Sequence, residues 1–371
     1  LTMSSLCLIG SDSLLSNHIL SLILSSQSPL QSIPSTIHLW SLSPVNDDND
    51  SIDTPKGISI EHFVGLNRLE EALKNIEIVI NCHELIDWTI LPNEDQLRLN
   101  NIEIPRIICQ SIRPYTKLIH ISSTFVQTWS RWPNIAGKEQ ESDSYKEGWP
   151  FKAYCRSKDE GEKIILDRIG PSMIVRTVPL YGENDKKSIV TDIIKISAHF
   201  NGLIPLIGDN DGCSQMAYAG NVACGVLKAI DKSLWKMEEE NSLDRIVIIG
   251  DGTPIKNTLD LIYPIIQNGK RYLSTYNIPF FIFYIPYLLL CSILIMISPL
   301  INLPLYLQKL PHPSLFYFFF RHWTLFNSFK ARLFLDHTDI YSKEETLHRS
   351  NLYYKRLHSS DIKHYSWEGS I

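Results

Sequence analysis

Short apolar runs alternate with stretches of helical periodicity in the first third of the chain. The run at residues 6–9 ends in Gly10 and precedes apolar positions at helical spacing over residues 14–24. Further short apolar runs occupy residues 37–40, 58–63, 76–80 and 117–121, and helical spacing recurs over residues 67–74 and 97–112. Strands that alternate with helices in this way predict an α/β fold built on a doubly wound parallel sheet.

The same alternation continues before the composition changes. Residues 153–169 have strong helical periodicity, and residues 172–178 and 246–249 are apolar enough to form strands. From Ile278 to Tyr306 the chain contains no charged residue and is dominated by Ile, Leu, Phe and Tyr. This segment therefore has a different environment from the predicted sheet.

Composition and charge remove several classes of function. The chain is 44% apolar and 20% charged, which is typical of a globular protein. Its net charge of -5, without a long basic block, argues against nucleic acid as a partner. The seven cysteines are scattered without a CxxC pair or a His/Cys cluster, so we predict no metal site, no disulfide framework and a reducing compartment.

Tyr154 and Lys158 form the first candidate for chemistry. Residues four apart share a face of a helix, so both side chains point the same way. A nearby ammonium lowers the pKa of a phenol from about 10 towards neutrality, and such a Tyr takes the proton of an alcohol while a hydride leaves the carbon. None of the other fifteen tyrosines has Lys four positions later. The alternative is an incidental pair on an exposed helix face.

Hydroxyl side chains follow the predicted strand at residues 117–121. Ser122, Ser123 and Thr124 come directly after it. Ligands of open α/β sheets bind beyond the carboxyl ends of strands, where a hydroxyl can hydrogen-bond an alcohol or ketone oxygen. Taken alone, these residues are better explained as a helix cap or turn. Ser123 nevertheless precedes Tyr154 by 31 residues, a separation that gives both motifs weight.

Several segments, in their order and spacing, match one enzyme family. They are residues 119–126, residues 154–158, the VRTVPLYG segment at 175–182, Asn201-Gly202, Gly208 and the YAGNVA segment at 218–223. In these segments the chain resembles the 3-beta-hydroxysteroid dehydrogenases, which are extended short-chain dehydrogenases. It is at least as similar to their sterol-4-alpha-carboxylate 3-dehydrogenase branch. The apolar run from Ile278 also resembles the family's C-terminal hydrophobic segment.

The resemblance implies a Rossmann fold with a smaller C-terminal substrate lobe. It implies that Ser123 orients the substrate oxygen, with Ser122 as the neighbouring alternative. Tyr154 would be the general base, and Lys158 would bind the nicotinamide ribose and lower the Tyr154 pKa. A further Asn of the family would be Asn100 or Asn101.

The resemblance also implies NAD or NADP as cofactor, bound by a second set of residues. These are Gly10, Ser13, Leu15, Lys158 and Pro179.

The predicted cofactor segment departs from the family at three points. The family's GxxGxxG turn, which lets backbone amides reach the pyrophosphate, is Gly10, Ser13 and Ser16 here. Trp40 or Ser41 replaces the acidic residue expected after the second strand. The small turn after the fourth strand is the bulkier Asn-Cys-His-Glu at residues 81–84.

The uncharged segment predicts a contact with membrane lipid. Residues 278–301 are 24 in number, and about 20 apolar residues cross a bilayer as a helix. Pro286 is expected to kink that helix, and a helix restarted over residues 287–298 is too short to cross. We therefore predict a monotopic or re-entrant anchor rather than a straight crossing, with a buried core helix as the alternative.

These predictions define the organisation and the function to be tested. Residues 1–270 would form the dinucleotide-binding domain with part of the substrate lobe, 271–310 the membrane-associated segment, and 311–371 the rest of the lobe and the tail. The resemblance implies NAD(P)-dependent oxidation of the 3-beta-hydroxyl of a steroid or sterol, at the endoplasmic reticulum or in mitochondria, with a homodimer left open. The alternatives are a sterol-4-alpha-carboxylate 3-dehydrogenase and a non-catalytic, membrane-bound Rossmann protein.

Overall fold

A computed structural model describes residues 4–44, 57–208, 212–231, 242–267 and 270–357. The surface loop expected at residues 46–55 and the acidic run at 238–240 lie outside these residues.

Most of the short apolar runs form strands, as predicted. In chain order they are β1 (Ser5–Ile9), β2 (Thr36–Ser41), β3 (Ser59–Val64), β4 (Ile78–Asn81), β5 (Lys117–Ser123), β6 (Asn134–Gly137), β7 (Ser172–Thr177), β8 (Leu180–Tyr181), β9 (Leu203–Ile207), β10 (Cys213–Ser214), β11 (Ala217–Tyr218), β12 (Ile246–Ile249), β13 (Tyr272–Ile278) and β14 (Trp323–Phe326).

Seven of these strands form one parallel sheet in the order β12-β7-β5-β4-β1-β2-β3. The chain runs outwards from β1 in one direction through β2 and β3, and then returns to β4 on the other side of β1. The carboxyl ends of β1 and β4 therefore flank the topological switch point, where ligands of open α/β sheets bind. The predicted doubly wound α/β fold is confirmed.

Helices cover both faces of this sheet, and others build the part of the molecule beyond it. In chain order the helices are α1 (Leu14–Leu24), α2 (Leu69–Ala72), α3 (Glu94–Arg98), α4 (Ile104–Ser111), α5 (Lys152–Leu166), α6 (Ile189–His199), α7 (Ala219–Asp231), α8 (Thr258–Ile266), α9 (Phe280–Ile297), α10 (Leu305–Gln308), α11 (Pro313–Phe320), α12 (Phe329–Leu335) and α13 (Lys343–Arg356).

The alternation of side chains along β1 shows how the two layers are built. Leu6 and Leu8 pack in the core shared with α1, α7 and α12, whereas Cys7 and Ile9 pack in the core shared with α2, α4 and α5. All five residues of β1 are buried, as expected for a central parallel strand covered on both faces.

The helix predicted over residues 97–112 contains a wider turn. α3 continues through a π-helical turn at Leu99–Glu103 into α4, and Pro105 lies in the first turn of α4. Proline lacks a backbone N–H, so the start of a helical segment is the position that tolerates it best. The π turn contains Asn100 and Asn101, and both are buried.

A second core forms the smaller lobe beyond the sheet. It joins Phe125, which follows β5, to apolar side chains of α6, α8 and α11 and to Tyr354 of α13. Short parallel pairs, β9 with β13 and β8 with β11, border this lobe. Residues before and after the hydrophobic segment therefore both contribute to this lobe, as they do in the predicted substrate lobe.

The hydrophobic segment forms one helix that continues through Pro286 rather than restarting after it, and the kink at Pro286 stays a prediction. α9 has 18 residues and includes Pro286. Among the described residues it is the helix whose length and composition would allow it to cross a membrane, and only 17% of its apolar window is buried. Ile282 and Met296 are 68% and 70% exposed, so α9 is not the buried core helix considered as the alternative. The predicted division into three regions, with its two boundaries, remains a prediction.

Candidate active site

The candidate catalytic side chains meet beyond the carboxyl end of β5. Ser123 ends this strand and caps the following 3-10 turn, where its Oγ accepts a hydrogen bond from the Phe125 amide at 3.2 Å. Tyr154 and Lys158 lie on α5, which packs against β5. The Ser123 hydroxyl also interacts with the Tyr154 phenol. Ser122, the alternative candidate, is buried, and no hydrogen-bond partner is found for its Oγ.

Lys158 is a buried ammonium that the fold supplies with partners. Its side chain is 1% exposed, and its Nζ donates to the Ile121 carbonyl of β5 at 2.9 Å. Nζ also lies 3.2 Å from Glu84 Oε2. A buried charge is costly unless it is paired and hydrogen-bonded, and these two contacts meet that requirement.

Glu84 also receives the Tyr154 phenol. Tyr154 is 2% exposed, and its Oη donates to Glu84 Oε2 at 3.1 Å. Burial, and then the Glu84 carboxylate, raise the Tyr154 pKa well above its usual range, although Ser123 acts in the opposite direction. The expected lowering of this pKa by Lys158 is therefore wrong, because burial and the adjacent Glu84 carboxylate both raise it.

The turn that carries Glu84 is held by two asparagines of the π turn. Asn101 accepts from the Leu85 amide at 2.9 Å and donates to the Leu85 carbonyl at 3.0 Å and to Ser157 Oγ of α5 at 2.9 Å. Asn100 Oδ1 lies 2.7 Å from His83 Nε2. Asn100 and Asn101 thus make different contacts, and which of them corresponds to the family's Asn stays open.

Gly10 lets the predicted cofactor turn pass close to the backbone of His83. Its φ is +78°, and a Cβ there would lie 2.6 Å from the His83 Cα. Ser13 caps α1 by accepting from the Ser16 amide at 3.2 Å, and Leu15 is buried in the core. This turn, at the end of β1, leads directly into the N-terminus of α1.

Trp40 explains the missing acidic residue at the end of β2. Its indole is fully buried, and its Nε1 donates to the Gly65 carbonyl at 3.0 Å. No carboxylate therefore takes that place, and the turn itself carries the exposed Asp12.

The residues present fit a nicotinamide dinucleotide across the switch point. A glycine turn with a helix N-terminus at the end of β1 suits a pyrophosphate, and the Tyr154–Lys158 pair two strands away, beside β5, suits a ribose and its nicotinamide. Pro179, the remaining predicted cofactor residue, follows β7 and lines a small cavity with Phe125 and Phe318.

Aromatic side chains close the space above Tyr154. The Trp88 ring meets the Tyr154 ring edge-on at 6.2 Å and stacks on Phe151 at 5.0 Å. Phe125 and Phe319 complete this group, which we call the aromatic cover. Its members come from four separate segments, so spacing along the chain could not reveal it.

Trp129, Trp132 and Trp149 flank the candidate residues in sequence, so that lining an apolar pocket and ordinary core packing are equal alternatives for them. Trp149 is buried and its Nε1 donates to the Val126 carbonyl at 2.8 Å, whereas Trp132 is 66% exposed. Trp129 packs against Tyr145 and Gly148. For the aromatic stretch at residues 316–320 the sequence favours packing or membrane contact over a cofactor role, and Phe318 and Phe319 are buried.

Metal-binding residues are not clustered in the part of the chain that the structure describes. There, no group of three or more His, Cys, Asp or Glu side chains could hold an ion. All seven cysteines are free, and burial raises the pKa of the Cys155 thiol.

The strand order, the glycine turn before α1 and the YxxxK helix beside the switch point define the class of extended short-chain dehydrogenases. Members of this class are NAD(P)-dependent oxidoreductases and epimerases. The chain belongs to the 3-beta hydroxysteroid dehydrogenase/isomerase family, whose family model matches residues 8–276.

Individual relatives are more distant. A probable dTDP-4,6-dihydroxy-2-methyloxan-3-one 4-ketoreductase of Streptomyces antibioticus is 29% identical over 150 residues, which are 39% of this chain and 47% of that protein. The chain therefore spans about half the length of this curated relative.

Solved structures share the fold. The UDP-glucuronic acid 4-epimerase of Bacillus cereus in complex with NAD is 15% identical, with a TM-score of 0.63 over 96% of this chain and 98% of that one. An epimerase of Methanothermobacter thermautotrophicus is 11% identical, with a TM-score of 0.63 over 98% of this chain and 95% of that one. At these identities the likeness concerns the fold alone.

Proposed function

We propose that the protein binds NAD or NADP and oxidises the 3-beta-hydroxyl of a steroid or sterol at a membrane. One observation carries the chemistry: the fold brings Ser123, Tyr154 and Lys158 together although 35 residues separate the first from the last. The Bacillus cereus epimerase with NAD supports the choice of cofactor. The sterol-4-alpha-carboxylate branch of the family is the alternative for the substrate.

The proposed chemistry divides the roles among these side chains. Bound nicotinamide supplies the acceptor for the hydride that leaves the carbinol carbon. Ser123 holds the substrate oxygen. Tyr154 is the general base and takes the proton of the substrate hydroxyl. Lys158, fixed by the Ile121 carbonyl, stabilises the phenolate that this step requires. Burial and the Glu84 carboxylate keep the Tyr154 phenol neutral. The contact between Tyr154 and Glu84 therefore opens before Tyr154 can accept a proton.

The aromatic cover supports an apolar, polycyclic substrate. Trp88, Phe125, Phe151 and Phe319 offer flat apolar surfaces beside Tyr154, whereas a sugar nucleotide needs many polar partners. Apolar pockets with a few polar groups at one end are typical of sites for such ligands.

A series of hydrogen bonds joins the aromatic cover to the exposed hydrophobic helix α9. Tyr287 of α9 donates from its Oη to the Pro311 carbonyl at 2.6 Å. The next residue, His312, donates its amide to the Trp88 carbonyl at 2.7 Å, and the Ile90 amide donates to the Leu310 carbonyl at 2.9 Å. A substrate dissolved in lipid beside α9 would therefore arrive close to Trp88. We propose attachment to the endoplasmic reticulum through α9, with a mitochondrial membrane as the alternative.

Replacing Tyr154 by Phe tests the proposal. The phenyl ring fills the same space while the group that transfers the proton is lost, so turnover of a 3-beta-hydroxysteroid with NAD should fall by about 10²–10⁴-fold. NADH formation by the purified protein is the measurement, and thermal unfolding checks that the variant is folded.

The matched control is Tyr145→Phe, a tyrosine that packs on Trp129 rather than in the site. Equal turnover in Tyr154→Phe and the parent protein would remove Tyr154 from the mechanism. If the parent protein neither binds NADH nor oxidises steroid, the non-catalytic alternative replaces the proposal.

A further inference from the structure

The donors around Glu84 are nearly all in use. An ammonium offers three N–H donors and a phenol offers one. Lys158 directs one donor to the Ile121 carbonyl and another to Glu84, and Tyr154 directs its donor to Glu84 as well. One Lys158 donor remains, whereas a ligand with two neighbouring hydroxyls, such as a ribose, needs more than one.

Glu84 differs from its two partners in its access to solvent. Its side chain is 31% exposed, while Lys158 and Tyr154 are almost completely buried. Displacing the carboxylate therefore moves a half-exposed side chain into water and leaves the core intact. A ligand that approaches this pair from solvent meets the Glu84 carboxylate first.

The turn around Glu84 is built to aim this carboxylate. Asn101 binds both backbone groups of Leu85, and the Asn81 side chain accepts from the His83 amide at 3.1 Å. The residues on either side of Glu84 are thus fixed. Within the part of the chain that the structure describes, the hydrogen bond from Tyr154 and the ion pair with Lys158 hold the Glu84 side chain itself.

We propose that Glu84 is an internal competitor of the dinucleotide: its carboxylate occupies the donors of Lys158 and Tyr154 and leaves them when the ribose hydroxyls bind. The inference rests on the proposed function, since it concerns the same site. It goes beyond that function by assigning the resting state of the site to a side chain of the protein itself. The affinity for the dinucleotide then includes the work of breaking the Glu84 contacts.

Binding of NADH to the full chain, measured by fluorescence titration, tests this competition. Glu84→Gln keeps the size of the side chain and removes its charge, and Glu84→Ala removes the contacts altogether. We expect Glu84→Ala to bind NADH about tenfold more tightly, as when one charge-assisted hydrogen bond no longer has to be broken, and Glu84→Gln to lie between Glu84→Ala and the parent. Thermal unfolding confirms that each variant is folded.

Glu94→Gln is the matched control. Glu94 pairs with Arg156 of α5 at 2.7 Å, but both side chains are exposed and lie outside the site. Its substitution should leave NADH affinity unchanged. Equal affinity in all four proteins would refute the competition alone, and weaker binding in Glu84→Ala would make Glu84 a ligand of the dinucleotide instead. If none of the four binds NADH, both the competition and the proposed cofactor are refuted.

Discussion

A buried ion pair fixes the helix that carries Tyr154 and Lys158 to the sheet, and its loss should be severe. Arg176 of β7 binds Glu162 of α5 through two parallel contacts, Nε to Oε1 at 2.9 Å and Nη2 to Oε2 at 2.6 Å. Both side chains are at most 3% exposed. The remaining Arg176 nitrogen, Nη1, donates to Gln127 Oε1 and to the Gln140 carbonyl. The pair is therefore buried and bidentate, and four of the five Arg176 N–H donors have acceptors.

Arg176→Met leaves the Glu162 carboxylate buried without its partner. Breaking a buried pair in this way costs about 3–5 kcal/mol, a large part of the roughly 5–15 kcal/mol by which domains are stable. Replacing both partners, as in Arg176→Met with Glu162→Leu, removes the uncompensated charge. The double variant should therefore recover most of the unfolding free energy that the single variant loses.

Equilibrium unfolding in urea, on protein in mild detergent, measures these differences, and the single variant Glu162→Leu completes the double-mutant cycle. The exposed pair of Arg68 and Glu71, with Nε to Oε2 at 2.9 Å, provides the control, and Arg68→Met should change stability little. A loss below about 1 kcal/mol in Arg176→Met would refute the reasoning, because it would mean that water reaches Glu162.

Two further predictions concern the membrane and pH. Gln at both Ile282 and Leu289, two exposed positions of α9, should release the protein from membranes in a carbonate wash. Gln at Ile169, which is even more exposed but lies outside α9, should not. Retention of both variants would mean that α9 is not the attachment. Burial raises the pKa of Asp185 from 3.8 to about 6, so the folded protein binds this proton more tightly than the unfolded chain. The free energy of unfolding should therefore fall by about 3 kcal/mol as the pH rises from about 4 to about 6. Asp185→Asn should abolish this part of the pH dependence in urea unfolding, and an unchanged slope would contradict it.

The sheet could be predicted because each buried strand is a short apolar run that needs no partner to be recognised. β1, β2 and β5 all coincide closely with such runs. The π turn at Leu99–Glu103 could not be predicted, since it depends on Asn101 reaching the backbone of Leu85 in another segment. The helix restart considered after Pro286 does not occur, because α9 keeps its helical path through the proline, which leaves a kink as the local effect to expect.

The candidate site was predictable where motifs are local and hidden where contacts are long-range. Tyr154 and Lys158 are four residues apart, so a helical face was enough to pair them. Glu84 lies 70 residues from Tyr154, and the sequence revealed only that its turn is bulky. Trp88 was missed in favour of tryptophans nearer to Tyr154 in sequence, because proximity along the chain does not measure proximity in the fold.

The surviving glycine of the cofactor turn shows which part of the family's motif this fold needs. Gly10 has φ +78° and lies against the His83 backbone, so a Cβ there meets the chain itself. Ser13 has φ -75° and ψ 153°, an extended conformation open to any residue, and its hydroxyl caps α1. Serine is therefore compatible with the turn at the second glycine position but not at the first. The loss of that second glycine alters the phosphate end of the site without removing the turn and the helix N-terminus that form it.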